Sequence, residues 1–232
     1  MLRKGARWRG VVLVTASSVI APSANAGAWT LAEGAQKWFA TVSREDGDFG
    51  QAWRTDDFSE LGLGDGWGLT AKFESQIRIG DTYDDRSGFR LGLQKAFPLG
   101  ERGSVAISGS VLAGESLDGP ECIGEGLEAR AAVGTSFNWW GREGFVNLEA
   151  GHRSRGGCER SVVEFASGYE FAPSWMLGLK SWREGGSETG SAKAEISLAY
   201  NFDVVAVGVG WREEISGNFN ERGWVLTASG TF

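Results

Sequence analysis

The sequence predicts an all-β chain: a transmembrane antiparallel β-barrel of twelve strands preceded by a cleaved signal peptide. Three observations lead there. Apolar and polar residues alternate with period two along almost the whole chain, so each segment has one greasy and one polar face. Short and longer connections alternate between those segments, the sidedness of an outer-membrane barrel. The chain begins with an export pattern and ends with an apolar-faced strand finishing at Phe232.

Composition removes the competing classes. Of 232 residues, 36 are Gly and 4 are Pro, with one His, two Cys and a net charge of −7. Gly at this density disfavours a helical bundle. Aromatics at 12% and apolar residues at 41% argue against disorder. An acidic chain lacks the basic face of a nucleic-acid binder. One His and two Cys exclude a His- or Cys-rich metal cage, and no cofactor-binding motif is present.

Residues 1–26 read as the signal peptide. Arg3, Lys4, Arg7 and Arg9 form the positive start, Val11 to Ala21 the apolar stretch, and Ala24-Asn25-Ala26 the cleavage site. Removing them takes four of the 23 Lys and Arg and none of the 30 Asp and Glu, which leaves residues 27–232 at −11. Export places Cys122 and Cys158 in an oxidising compartment.

The alternation places strands at about 35–45, 54–63, 67–79, 87–97, 104–115, 125–139, 144–154, 160–171, 175–184, 191–202, 204–215 and 221–232. Trp67, Leu69, Ala71, Phe73, Ile77 and Ile79 share one face, with Thr70, Lys72, Glu74 and Arg78 on the other. Ala192, Ala194, Ile196, Leu198, Tyr200 and Phe202 alternate with Lys193, Glu195, Ser197 and Asn201 in the same way. Tight turns fall at 64–66, 99–103, 141–143, 172–174 and 203. Longer polar loops fall at 46–53, 80–86, 116–124, 155–159, 185–190 and 216–220. An even strand number puts both ends of the chain on the periplasmic side. A soluble sandwich also alternates, but needs no aromatic ends. Here Trp67, Phe97, Trp139, Trp140, Phe145, Tyr169, Phe171, Trp175 and Phe202 cluster beside the tight turns, as a periplasmic girdle does.

Several stretches resemble a family of uncharacterised exported barrels of Gram-negative bacteria. They are Gly27-Ala28-Trp29-Thr30-Leu31-Ala32-Glu33-Gly34, the Leu61-Gly62-Leu63 and Trp67-Gly68-Leu69-Thr70 of 58–72, Gly144 to Gly151, and Ala172-Pro173-Ser174-Trp175. The resemblance implies an outer-membrane location. It implies no single activity, although some relatives carry a transporter label.

The polar faces supply a lumen. Lys72, Arg78, Arg90, Arg130, Arg153, Lys180, Lys193 and Arg212 point inward on this register, with Glu74, Glu128, Glu149, Glu164, Glu170, Glu195 and Glu214. Either they line a narrow, porin-like channel for small solutes, or they pair and fill a structural barrel. Twelve strands lie between barrels that hold side chains only and those with a water channel. Expected partners are outer-membrane lipids, lipopolysaccharide, and the barrel assembly machinery reading the strand that ends at Phe232. Acidic loops such as 45–48 and 81–85 match no defined calcium loop.

The enzyme alternative is a lipid hydrolase, of phospholipase or lipid A deacylase type, using His152 and Ser154. Both share an outward face with Val146, Leu148 and Ala150. A loop centred near Gly157 sets Val163 opposite His152 and leaves Glu159 roughly 13 Å from it, at ~3.3 Å per residue. The histidine then lacks an orienting carboxylate, and the expectation is a non-enzymatic barrel. Cys122 and Cys158 fall in loops at the same end of the barrel and are expected to form a disulfide.

Overall fold

The computed structural model describes residues 27–48, 50–80, 85–117, 119–186 and 190–232. The expected signal peptide, and positions 81–84 of one acidic loop, lie outside the described residues. Thirteen strands follow one another: β1 (Gln36–Gly47), β2 (Gly50–Gly64), β3 (Trp67–Ile79), β4 (Arg86–Leu99), β5 (Gly103–Ser116), β6 (Gly119–Ile123), β7 (Gly126–Trp139), β8 (Arg142–Arg155), β9 (Cys158–Ala172), β10 (Trp175–Gly186), β11 (Gly190–Phe202), β12 (Val205–Ser216) and β13 (Arg222–Thr231). Twelve of them form a closed antiparallel ring. β6 is a short addition hydrogen-bonded to β5.

Neighbours in sequence pair around the ring, and β1 pairs with β13 to close it. Closure leaves the twelve-stranded ring without an edge in need of partners, the condition for placing a sheet in lipid. Phe73, Leu93, Ile107, Val133, Leu148 and Val209 all lie exposed on the outer wall. The buried residues are largely charged or polar. That inverts the order of a soluble protein and suits a wall surrounded by lipid.

One end of the barrel carries the start of β1 and the end of β13, where Gln36 and Phe232 exchange backbone hydrogen bonds of 2.9 and 2.8 Å. This is the turn end. Its connections, 65–66, 100–102, 140–141, 173–174 and 203–204, are as tight as expected. Asp65, Trp140, Ser174 and Asp203 take left-handed φ values there, as such reversals demand. Phe145 does not belong to the girdle. It points inward and is buried against Ala166 and Met176.

The opposite, loop end departs from expectation: β6 forms within the expected loop 116–124, and β10 and β11 run on into 185–190. The sequence also suggests loops at 46–53 and 155–159, but the strands run on. Gly47 pairs with Gly50, and Arg155 with Cys158. Gly156 and Gly157 have φ of 55° and 87°, a two-residue reversal that matches strand twist. This turn is tighter than expected, so β9 slides by two residues relative to the expected register.

Candidate functional site

The candidate site is the bore, and its two halves are filled differently. Towards the turn end the filling is backbone. Residues 27–32 lie inside the barrel and make four hydrogen bonds to inward side chains. Gln94 Nε2 donates to the carbonyls of Gly27 (2.8 Å) and Trp29 (3.1 Å). The Ala28 N–H donates to Asn147 Oδ1 (3.0 Å), and the Leu31 N–H to Glu60 Oε1 (3.1 Å). Ala28 is fully buried against Ala96, Ala106 and Ala132, and Trp29 bridges that cluster to Phe145, Ala166 and Met176. Small residues make the room. A Cβ at Gly134 would come within 2.4 Å of the Trp29 ring, and one at Gly62 within 2.0 Å of the Ala32 carbonyl oxygen.

Midway along the bore the filling is charge. Arg130 donates to Glu128 (2.7 Å), to Glu149 and to Glu164 (3.1 Å). Glu128 also receives Arg90 (2.6 Å) and Arg153 (2.7 Å). Arg153 continues to Glu184 (3.0 Å), which Arg160 joins at 2.8 Å. On the other wall Lys72 binds Glu74 (2.8 Å) and Asp56 (3.4 Å), and Asp56 receives Arg54 at 3.3 Å. Arg212 bridges Glu195 and Glu45, each at 2.9 Å, and lies over the Trp182 ring with Lys180 close by. Lys193 is paired with Glu221 at 2.6 Å, not with Glu195. These walls enclose a central cavity of about 40 Å³, lined by Asp56, Lys72, Arg130, Glu164, Lys180 and Arg212 among others. That is room for a few waters, at about 10–15 Å³ each, and far below the several hundred Å³ of a small-molecule site.

The remaining inward charges lie nearer the ends. The amide of Arg78 donates to Asp85 (3.0 Å), Glu170 takes Arg142 (3.3 Å), and Glu214 accepts the amides of Phe219 and Glu221. Sequence reasoning passed over Glu45, Arg54, Asp56, Glu60, Arg155, Arg160 and Glu184, all buried. On β1 and β2 the inner face also holds Phe39 and Phe58, packed on each other, while Asp57 points outward. The apolar and polar faces therefore cannot be told apart there by alternation alone. The Trp29 segment carries a weaker signal, a bulky aromatic set among small residues ahead of the first strand.

At the loop end Cys122 and Cys158 form a disulfide with Cα atoms 5.5 Å apart, as expected. On the outer wall the tighter Gly156-Gly157 turn corrects the histidine's surroundings. His152 lies opposite Ser161, not Val163, and Glu159 Oε2 is 2.5 Å from His152 Nε2. The orienting carboxylate is present after all. It occupies Nε2, while Nδ1 faces Ser161 at a long 3.4 Å, and the Ser154 hydroxyl also turns to Glu159. Ser154 is thus held by the carboxylate and not by the ring, the reverse of a Ser–His nucleophile pair. The His152 and Glu159 side chains are 59% and 61% exposed, open on the outer wall.

Solved structures share this architecture. NanC porin matches with a TM-score of 0.63 at 9% identity, over 83% of this chain and 98% of its own. KdgM porin in complex with disordered oligogalacturonate matches with 0.59 at 12%, over 84% and 99%. An outer-membrane channel from Pseudomonas putida F1 matches with 0.58 at 12%, over 92% and 100%. The fold is that of porin-like outer-membrane barrels. No protein-family model and no curated protein matches the chain.

Proposed function

We propose that the chain is a non-enzymatic outer-membrane barrel of porin-like type whose bore is closed in this structure. The observation that carries this reading is the continuous filling of the bore. Paired charges occupy the middle, and residues 27–32 occupy the turn end. The turn end is then the periplasmic mouth, and the disulfide faces the outside. The apolar wall meets lipid and, in the outer leaflet, lipopolysaccharide. The strand ending at the exposed Phe232 serves recognition by the assembly machinery. Likeness in the stretches quoted above supports membership of the uncharacterised exported barrels.

NanC and KdgM carry the name porin, and the KdgM structure holds oligogalacturonate. The central cavity of about 40 Å³ does not hold a chain of that size. The conducting species proposed here are water and small ions, after the periplasmic segment withdraws. Planar-bilayer recording of the folded chain tests this. The expected record is mostly silent, and deletion of residues 27–32 adds frequent small openings. Steady openings that pass sugar-sized solutes in the intact chain would overturn the closed-bore reading. Lipid hydrolysis lost on His152→Ala would overturn the non-enzymatic one.

A further inference from the structure

We infer that the outer part of the bore holds a small-anion site built on Arg155, with a chloride-sized ion as its ligand. Arg155 ends β8 on the inward face and is 4% exposed. Its Nε and Nη1 are enclosed and have no hydrogen-bond partner. Beside it lies a cavity of about 20 Å³ lined by Lys72, Glu74, Gly88, Arg90, Arg153 and Arg155.

The surrounding carboxylates are already engaged. Glu128 serves Arg90, Arg130 and Arg153. Glu184 serves Arg153 and Arg160, and Glu74 is held by Lys72. The cavity wall thus presents four cations and a single carboxylate, and that carboxylate is neutralised. A guanidinium does not lose its proton, so burial beside carboxylates already bonded to other cations leaves its charge under-compensated. A halide accepting from Nε–H and Nη1–H compensates it. The volume suits one monatomic ion and excludes organic acids.

The backbone that carries this side chain is also held in place. Arg155 pairs with Cys158, whose sulfur is bonded to Cys122, and with Gly126 on the other side. At position 88 any side chain would collide with the Glu115 carbonyl, so glycine keeps that wall open beside the guanidinium. A ligand that binds only the folded barrel stabilises it in proportion to occupancy.

The test uses the full-length barrel folded in detergent and heated in sodium chloride or sodium gluconate at equal ionic strength. Gluconate is too large for the cavity. The unfolding midpoint should rise with chloride, and Arg155→Gln should weaken that response at least tenfold in half-saturating concentration. Equal midpoints in the two salts would overturn the site and mean that water fills it. So would an unchanged chloride response in Arg155→Gln. Should that variant not fold, bromide-soaked crystals of the intact chain decide. An anomalous peak within hydrogen-bond reach of Arg155 Nε or Nη1 supports the site, and none there refutes it. Neither measurement requires conductance, so the site stands or falls apart from the channel reading.

Discussion

The two halves of the bore solve one problem with different chemistry. At the turn end, a strap of backbone fits a clearing of alanines and glycine, held by Gln94, Asn147 and Glu60. In the middle, side chains rooted in the wall meet one another, with Arg130 and Glu128 at the centre. The strap is held by side-chain hydrogen bonds that are neutral or singly charged. None of those bonds belongs to a strand ladder of the ring. The charge network has nowhere to go, because each member is part of a strand. One closure is a segment laid against the wall, and the other is built from the wall itself.

The largest expected effect comes from breaking the second closure. Glu128→Ala removes the carboxylate shared by Arg90, Arg130 and Arg153 and leaves buried guanidinium charge uncompensated. A loss of about 3–5 kcal/mol is expected in urea unfolding of the barrel in lipid. An unchanged midpoint would mean that water already penetrates the network. The first closure should yield more gently. Gly134→Val places atoms where the Trp29 ring lies. The expected outcome is an ejected strap, read as new protease sensitivity before residue 36 and more frequent channel openings, with heat-modifiable gel migration retained. If both the strap and the silence persist, the strap is not what closes the mouth.

Away from both closures the effects shrink. Replacing Cys122 and Cys158 together by Ser should cost about 2 kcal/mol, the lower part of the usual range for a disulfide, because the barrel already orders the chain. Conductance should not change, and a change would tie the outer loop to the bore. Smallest of all, His152→Ala on the exposed wall should alter stability by less than about 0.5 kcal/mol. A larger loss would show that the His152–Glu159 contact braces the β8–β9 hairpin.

Much of this was legible in the residues. Strict alternation from Trp67 to Ile79 and from Ala192 to Phe202 marks strands whose two faces meet lipid and charge. Where a face is mixed, as with Phe39 and Phe58 inside and Asp57 outside, alternation loses its meaning and Asp56 goes unnoticed. Register is fixed by turns, and a glycine pair admits several turn lengths. The two-residue reversal at Gly156-Gly157 therefore decided whether Glu159 reaches His152, and pattern alone did not. The strap left only a weak signal, for another reason. Residues 27–32 have no periodicity, and their partners lie as far as 119 residues away.

The seam between β1 and β13 has a consequence for how the molecule comes into being. Its paired residues run from Lys37 with Thr231 to Asp46 with Arg222. Just behind it, Arg212 reaches across β13 to Glu45, 167 positions away along the chain. These contacts have nearly the greatest loop length the polypeptide offers, so they carry a high entropic cost and belong to the late steps of folding. Until the seam shuts, Glu45 remains hydrated. Once it shuts, the ion pair is sealed between the first strand and the twelfth, and the sheet has no free edge from which to fray. Ring closure then acts as a latch: formation waits on it, and dismantling must begin by prising it open.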